Sequence, residues 1–190
     1  ESAEVDHRLR ETPLIAYGGW HSRYPELFQK YRQEILELFA IDPKAEEKVK
    51  GWMKRLPEAD LTLGLHIRRG DYARWQGGKY FFDNSVYQKK IEEFIALHPD
   101  KRVNVLICTN DPQLDLASYR AVHPQVFLSE GSAIEDLSLL AHCDYLLGVK
   151  STFSLWASVY RDLPLYWIED RETPLSLAGF KTFLDLCLLV

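Results

Sequence analysis

The stretch Leu61-Thr-Leu-Gly-Leu-His-Ile-Arg-Arg-Gly-Asp-Tyr72 constrains the fold more than any other, because an apolar run gives way abruptly to charge at His66, Arg68, Arg69 and Asp71. A short apolar run closed by glycine is the pattern of a strand covered on both faces, and such strands belong to parallel sheets with helices on either side. Ligands of these sheets bind beyond the carboxyl ends of the strands, which is where the charge begins. Alternation along a strand sends His66 and Arg68 to one face, so an imidazole and a guanidinium meet at the same rim. Arginine offers planar, paired donors that match a phosphate. The same residues also fit a structural ion network, with Arg68 and Arg69 paired to Asp71 or a neighbouring carboxylate.

The rest of the chain repeats the theme. Buried strands are expected at 61–67, 103–109, 125–128, 144–148 and 163–168, alternating with helices, which specifies a doubly wound parallel α/β sheet of Rossmann-like type. Residues 1–13 read as a loose lead-in and Leu14–Tyr17 as a short strand. A helix from Ser22, with Pro25 in its first turn, carries Leu27, Phe28, Tyr31, Ile35, Leu38 and Phe39 as a stripe expected to face the core. Asp42 caps a second helix to about Leu56, with Val49, Trp52 and Met53 on one side. The run from Tyr72 to Asn84 reads as a mobile loop over the site. Asn84 or Ser85 is expected to cap a helix ending at His98-Pro99, and Asp111-Pro112 to start a short one. Helices are further expected at 134–142, from Ser151 to about Arg161, and from Leu177 to Leu189. Residues 1–60 then form a lead-in with two helices, and residues 61–190 the Rossmann-like domain.

Composition narrows the function classes. With 28 acidic against 23 basic residues and a net charge of −5, the chain is a poor match for nucleic acid, and the local arginines suit a small anion. No window approaches the roughly 20 apolar residues of a membrane span, although peripheral membrane contact stays compatible with the sequence. Cys108, Cys143 and Cys187 sit in apolar surroundings without metal-like spacing and read as reduced core thiols, which together with the absence of a recognisable leader points to a bacterial cytoplasm. The histidines share no common spacing, so no metal site is expected. Neither a Gly-x-Gly-x-x-Gly nor a Walker sequence is present, which sets aside the usual NAD and ATP readings.

His66-Ile-Arg-Arg-Gly-Asp-Tyr72 resembles the His-x-Arg-Arg-x-Asp signature of the GDP-fucose-dependent fucosyltransferases, most closely the bacterial-type α-1,2 family. Thr109-Asn-Asp-Pro112 is similar to that family's strand-end Asp-Pro element. Glu135-Asp-Leu-Ser-Leu-Leu-Ala-His-Cys143 resembles its Asp-Leu helix, and Ser151-Thr-Phe-Ser-Leu-Trp156 its Ser-Ser-Phe-Ser-Trp segment. The likeness covers about residues 61–170, with a weaker trace at Trp20-His-Ser-Arg-Tyr-Pro-Glu-Leu-Phe28. Two departures stand out: nothing before Leu61 matches the Gly-rich, Asn-Gln-containing loop of the family's N-terminal half, and Lys150 stands where Asn is usual.

The resemblance implies the C-terminal, donor-binding half of a two-domain glycosyltransferase of the GT-B type, with residues 1–60 as a link to the acceptor half. It implies inverting, metal-independent transfer of fucose from GDP-fucose to a glycan hydroxyl, with GDP-fucose as donor substrate and no cofactor. His66, Arg68, Arg69 and Asp71 become the catalytic candidates, and Arg68, Asp111, Asp136, Ser151, Thr152, Phe153 and Ser154 the donor contacts. Asp136 would read the guanine edge; as a first-turn carboxylate it is equally accounted for by the helix dipole. Asp111 is either a cap or a ribose or base contact, and the serines either bind phosphate or simply cap their helix. The general base is not identifiable, with Asp71 and Glu93 among the candidates. A non-catalytic GDP-sugar-binding module and an interaction domain with an arginine-rich rim are the alternatives.

Overall fold

The computed structural model describes His7 and residues 24–187. Five parallel strands, β1 (Leu61–Ile67), β2 (Val103–Thr109), β3 (Val126–Leu128), β4 (Tyr145–Val149) and β5 (Leu165–Ile168), form one sheet in the order β3-β2-β1-β4-β5. β1 is central and pairs with β2 along its whole length, from Leu61 opposite Val103 to Ile67 opposite Thr109. Strand order reverses between β1 and β4, and a sheet that reverses there opens a crevice outside the carboxyl ends of those two strands.

Each face of the sheet carries its own core. Leu63, Leu65 and Ile67 of β1, with Val105 and Ile107 of β2, pack under helices α4 (Asn84–Ala96) and α5 (Leu116–Val122) through Tyr87, Ile91, Phe94 and Tyr119. On the other face Leu106, Cys108, Leu146 and Trp167 meet α3 (Pro43–Met53), α6 (Ala133–Ala141) and α7 (Thr152–Val159) through Val49, Leu139, Leu140 and Leu155. Gly64 is what lets α6 lie this close: a Cβ there would come within 2.9 Å of Leu140 Cδ2 of that helix and 2.7 Å of Leu146 Cδ2 on the neighbouring strand. Cys108, Cys143 and Cys187 are all buried, as expected of core thiols. Among the described residues no helix is long and apolar enough to cross a membrane.

Several elements differ from expectation. Ser22 and the strand expected at Leu14–Tyr17 lie outside the described residues, as does all of the lead-in but His7. The first amphipathic segment is two short helices, α1 (Pro25–Lys30) and α2 (Arg32–Leu38), interrupted at Tyr31, and neither has a buried residue. Its apolar stripe is not core: Leu38 is 78% exposed and Leu27 51%, while Phe28 and Phe39 rest their rings on Trp156 at the outer side of α7. Asp42 does cap α3, its Oδ1 accepting from the amides of Lys44 and Ala45.

The run after Tyr72 is packed rather than loose. Two 3-10 turns, Gly70–Ala73 and Trp75–Gly78, hold Tyr72, Tyr80 and Phe82 in the core, because those rings bury far more area than a mobile loop would forgo. The N-cap position of α4 is Asp83, leaving the Asn84 side chain for the interior, and α5 starts at Leu116 under an Asp115 cap, not at Asp111-Pro112. The helix expected from Leu177 is instead a 3-10 turn (Leu177–Gly179), a bridge between Lys181 and Leu165, and a short helix α8 (Phe183–Leu186) restarted by a Thr182–Asp185 capping box. Its expected end at Leu189 lies beyond the described residues.

Candidate active site

A cavity of about 790 Å³ opens beyond the ends of β1, β2 and β4, within the range that holds nucleotide-sized ligands. Arg68, Asp71, Tyr72 and Trp75, from the turns after β1, line one wall. Lys150, Ser151, Thr152 and Phe153, from the corner between β4 and α7, line the opposite wall across the reversal in strand order. Asn110 after β2 and Asp136 in the first turn of α6 close a third side.

The two arginines part company. Arg68 continues the alternation of β1 into the cavity, where its Nη2 lies 2.9 Å from Asp71 Oδ1 and its guanidinium 5.7 Å from the Tyr72 ring. Both partners of that pair are solvent-accessible, so the ion pair adds little to stability and leaves the fork available to a ligand. Arg69 turns to the opposite face and is buried. It donates to the Phe82 carbonyl and to Asn84 Oδ1, lies over the rings of Phe81 and Tyr87, and sits 3.7 Å from Asp111. Its two terminal nitrogens donate at the α4 layer while Nε is buried 3.7 Å from Asp111 without a hydrogen bond, so of the sequence-expected arginine pair only Arg68 reaches the cavity. Asn110 holds the backbone between them, its Oδ1 accepting from Arg69 N at 2.7 Å.

His66 is a buried wall of the cavity, its ring 5.0 Å from that of Phe153. Burial, reinforced by the charge of Arg68, pulls its pKa down to about 4, so the imidazole is neutral at physiological pH. Gly148, opposite His66 in the sheet, has no room for a side chain: a Cβ there would lie 2.7 Å from the His66 carbonyl oxygen. Ser151 caps α7 by accepting from Phe153 N at 3.2 Å, and the remaining amides of that first turn have no acceptor within the helix. Ser154 is withdrawn, its hydroxyl donating to the Ser151 carbonyl beneath the surface.

Asp136 faces the cavity with one oxygen held by the Ser129 hydroxyl, and burial raises its pKa above the usual carboxylate range. Asp111 lies outside the cavity lining and is engaged with Arg69 and with the amide of Gln113. Glu93 is also remote, tied to Lys90 and to the Leu175 amide. Sequence reasoning passed over Tyr72, Trp75, Asn110 and Lys150 as site residues. The signal for Asn110 lay inside the Thr109-Asn-Asp-Pro112 motif; Trp75 carried only the signature of an irregular aromatic run. Among the described residues no cluster of three or more His, Cys, Asp or Glu side chains has the geometry of a metal site.

The galactoside 2-alpha-L-fucosyltransferase Sec1 of Mus musculus is 26% identical over 173 residues, covering 81% of this chain and 45% of its own length. The galactoside alpha-(1,2)-fucosyltransferase 2 of Oryctolagus cuniculus is 24% identical over 168 residues, covering 82% and 46%. The chain thus spans about half the length of the curated relatives it matches. Among solved structures, the fucosyltransferase NodZ from Bradyrhizobium shares the fold with a TM-score of 0.52 at 17% identity, over 88% of this chain and 74% of that one. POFUT1 in complex with GDP-fucose does so with a TM-score of 0.53 at 12% identity, over 64% and 43%. The sequence profile of glycosyl transferase family 11 matches residues 17–161, reaching back through the helices that precede β1, and the chain belongs to that family.

Proposed function

We propose that this chain binds GDP-fucose and serves in the transfer of fucose to a hydroxyl of a glycan, a galactoside in keeping with the names of its curated relatives. The observation that carries the reading is Arg68, a guanidinium at the end of the central strand facing the N-terminus of α7 across one cavity. A fork of donors and a helix N-terminus on opposite walls make a cradle for a diphosphate.

In this reading Asp136 accepts N–H donors from the guanine edge while Ser129 holds the carboxylate in place. The acceptor oxygen attacks the anomeric carbon of fucose from the side opposite GDP. The bond from that carbon to the β-phosphate oxygen breaks, its electron pair leaves with the diphosphate, and the hydroxyl proton passes to a base or to solvent. Charge on the departing phosphate grows as the bond stretches, so a preorganised cation such as Arg68 stabilises the transition state more than the bound donor. His66, neutral and packed against the Phe153 ring, positions the first turn of α7 in this scheme. Arg69 and Ser154 support the site from behind it, and residues 61–190 form the donor-binding unit.

Calorimetry with GDP, UDP and ADP tests the donor. A clear preference for GDP is expected, and equal or absent binding overturns the proposal in favour of an interaction surface. Mass detection of fucose transferred from GDP-fucose to a galactoside then separates an enzyme from a silent binding module.

A further inference from the structure

We infer that Lys150 is a second cationic anchor for the donor's diphosphate, set opposite Arg68, so that the cavity selects a nucleoside diphosphate over a monophosphate; this rests on the donor reading above. Arg68 and Lys150 are the cationic side chains lining the cavity, and they approach it from different strands, β1 and β4.

Their situations differ in the way a two-point anchor requires. Arg68 already has a carboxylate at 2.9 Å in Asp71. Lys150 has none: among the described residues its ammonium makes no ion pair or hydrogen bond, and it lies over the Trp167 ring at 5.9 Å. That positive charge stands next to the N-terminus of α7, whose dipole is also positive there, and on the same cavity as a guanidinium. Asp71 offsets Arg68 and Asp136 lies on the third side of the cavity, so the uncompensated positive charge is concentrated at Lys150 and the helix N-terminus, where an anion bridging to Arg68 is favoured.

Tyr72 ties together the two segments that carry the cations. Its ring lies under the Arg68 guanidinium at 5.7 Å, and its hydroxyl donates to the Lys150 carbonyl at 2.6 Å. One buried aromatic thus braces both anchors, and the β1–β4 register behind it, with His66 opposite Gly148, fixes the strands they extend from. A monophosphate satisfies one anchor. A diphosphate carries two phosphoryl groups and an additional charge, and it reaches both.

The test is the ratio of GDP to GMP affinity, measured by calorimetry on the wild-type chain and on Lys150→Met, which keeps the aliphatic stem and removes the charge. The wild type is expected to prefer GDP. In Lys150→Met the GDP affinity should fall roughly tenfold while GMP changes by less than about twofold, a charged hydrogen bond's worth lost at one phosphoryl only. Lys150→Arg should restore most of the ratio. A thermal melt of each variant establishes that it is folded, and Lys150→Gln serves as a second neutral replacement. An unchanged GDP-to-GMP ratio in both neutral variants, with Arg68→Ala still weakening GDP, overturns the role of Lys150 and leaves the donor reading standing. A wild-type chain that binds no GDP overturns both.

Discussion

Arg68 and Arg69 are adjacent in sequence and serve opposite faces of the sheet, one lining an open cavity and the other buried among Phe81, Phe82, Asn84 and Tyr87. Substitution should therefore separate binding from stability. Arg69→Ala strands the buried Phe82 carbonyl, leaves Asn84 Oδ1 to the Tyr119 hydroxyl alone and unpairs Asp111, and is expected to cost on the order of 3 kcal/mol, or roughly 6–12 °C in Tm for a chain of this size. Arg68→Ala breaks only an accessible pair with Asp71, so its melt should stay within about 2 °C of the wild type while GDP binding weakens by about 1.5–3 kcal/mol. The reverse pattern, with Arg68→Ala unfolding and Arg69→Ala silent, would exclude this division of labour.

Asp136 should govern the choice of base. GDP and IDP differ in the exocyclic amino group, which a carboxylate acceptor senses directly. Asp136→Asn is expected to abolish a preference for GDP over IDP worth about 1–3 kcal/mol. A parallel loss for both nucleotides would instead mark Asp136 as a structural member of the α6 N-terminus.

His66 makes the fold acid-sensitive in a defined window. Its folded pKa of about 4 lies below the ordinary value of 6.5, so between those pH values the unfolded chain holds a proton that the folded chain refuses. Stability thus falls as pH drops from 6.5 towards 4 and levels off below, a difference on the order of 3 kcal/mol. Melts of wild type and His66→Gln across this range should diverge in slope, since carboxylate titrations common to both cancel in the comparison. Parallel slopes would show that the imidazole is not held neutral.

Gly148→Ala should damage the strand pair on which the site is built. The new methyl meets the His66 carbonyl oxygen at 2.7 Å, a backbone atom that moves only if β1 and β4 separate. A loss of about 1–3 kcal/mol is expected, accompanied by weaker GDP binding as the two cavity walls shift. Unchanged melting would show that the sheet accommodates the methyl without strain.

The central strands were legible because strands covered on both faces carry uninterrupted apolar runs; β1 and β2 fall at the residues expected, 61–67 and 103–109. Arg69 was expected at the site beside Arg68 and is buried away from it, for the alternation that sends His66 and Arg68 to one face sends Arg69 to the other. The helix stripe of Leu27, Tyr31 and Leu38 misled for a physical reason: periodicity reports that a face is apolar, not that anything covers it, and all three are exposed. Lys150 stood out in one dimension only as a departure from the usual Asn, because its meaning depends on Arg68 and Tyr72, which lie about 80 residues earlier and meet it only through the β1–β4 pairing.

The bridge between Lys181 and Leu165 has a consequence for the behaviour of the chain in a crowded solution. Lys181 gives and takes a backbone hydrogen bond with Leu165, each 2.9 Å, on the outer margin of β5. That margin is thereby capped at Leu165 by a later segment of the same chain, and the lysine side chain adds a charge that discourages a foreign strand from docking. The opposite margin, β3, is only three residues long, too short to template much pairing. A sheet so apolar at its centre is protected from growing sideways into aggregates at both of its ends.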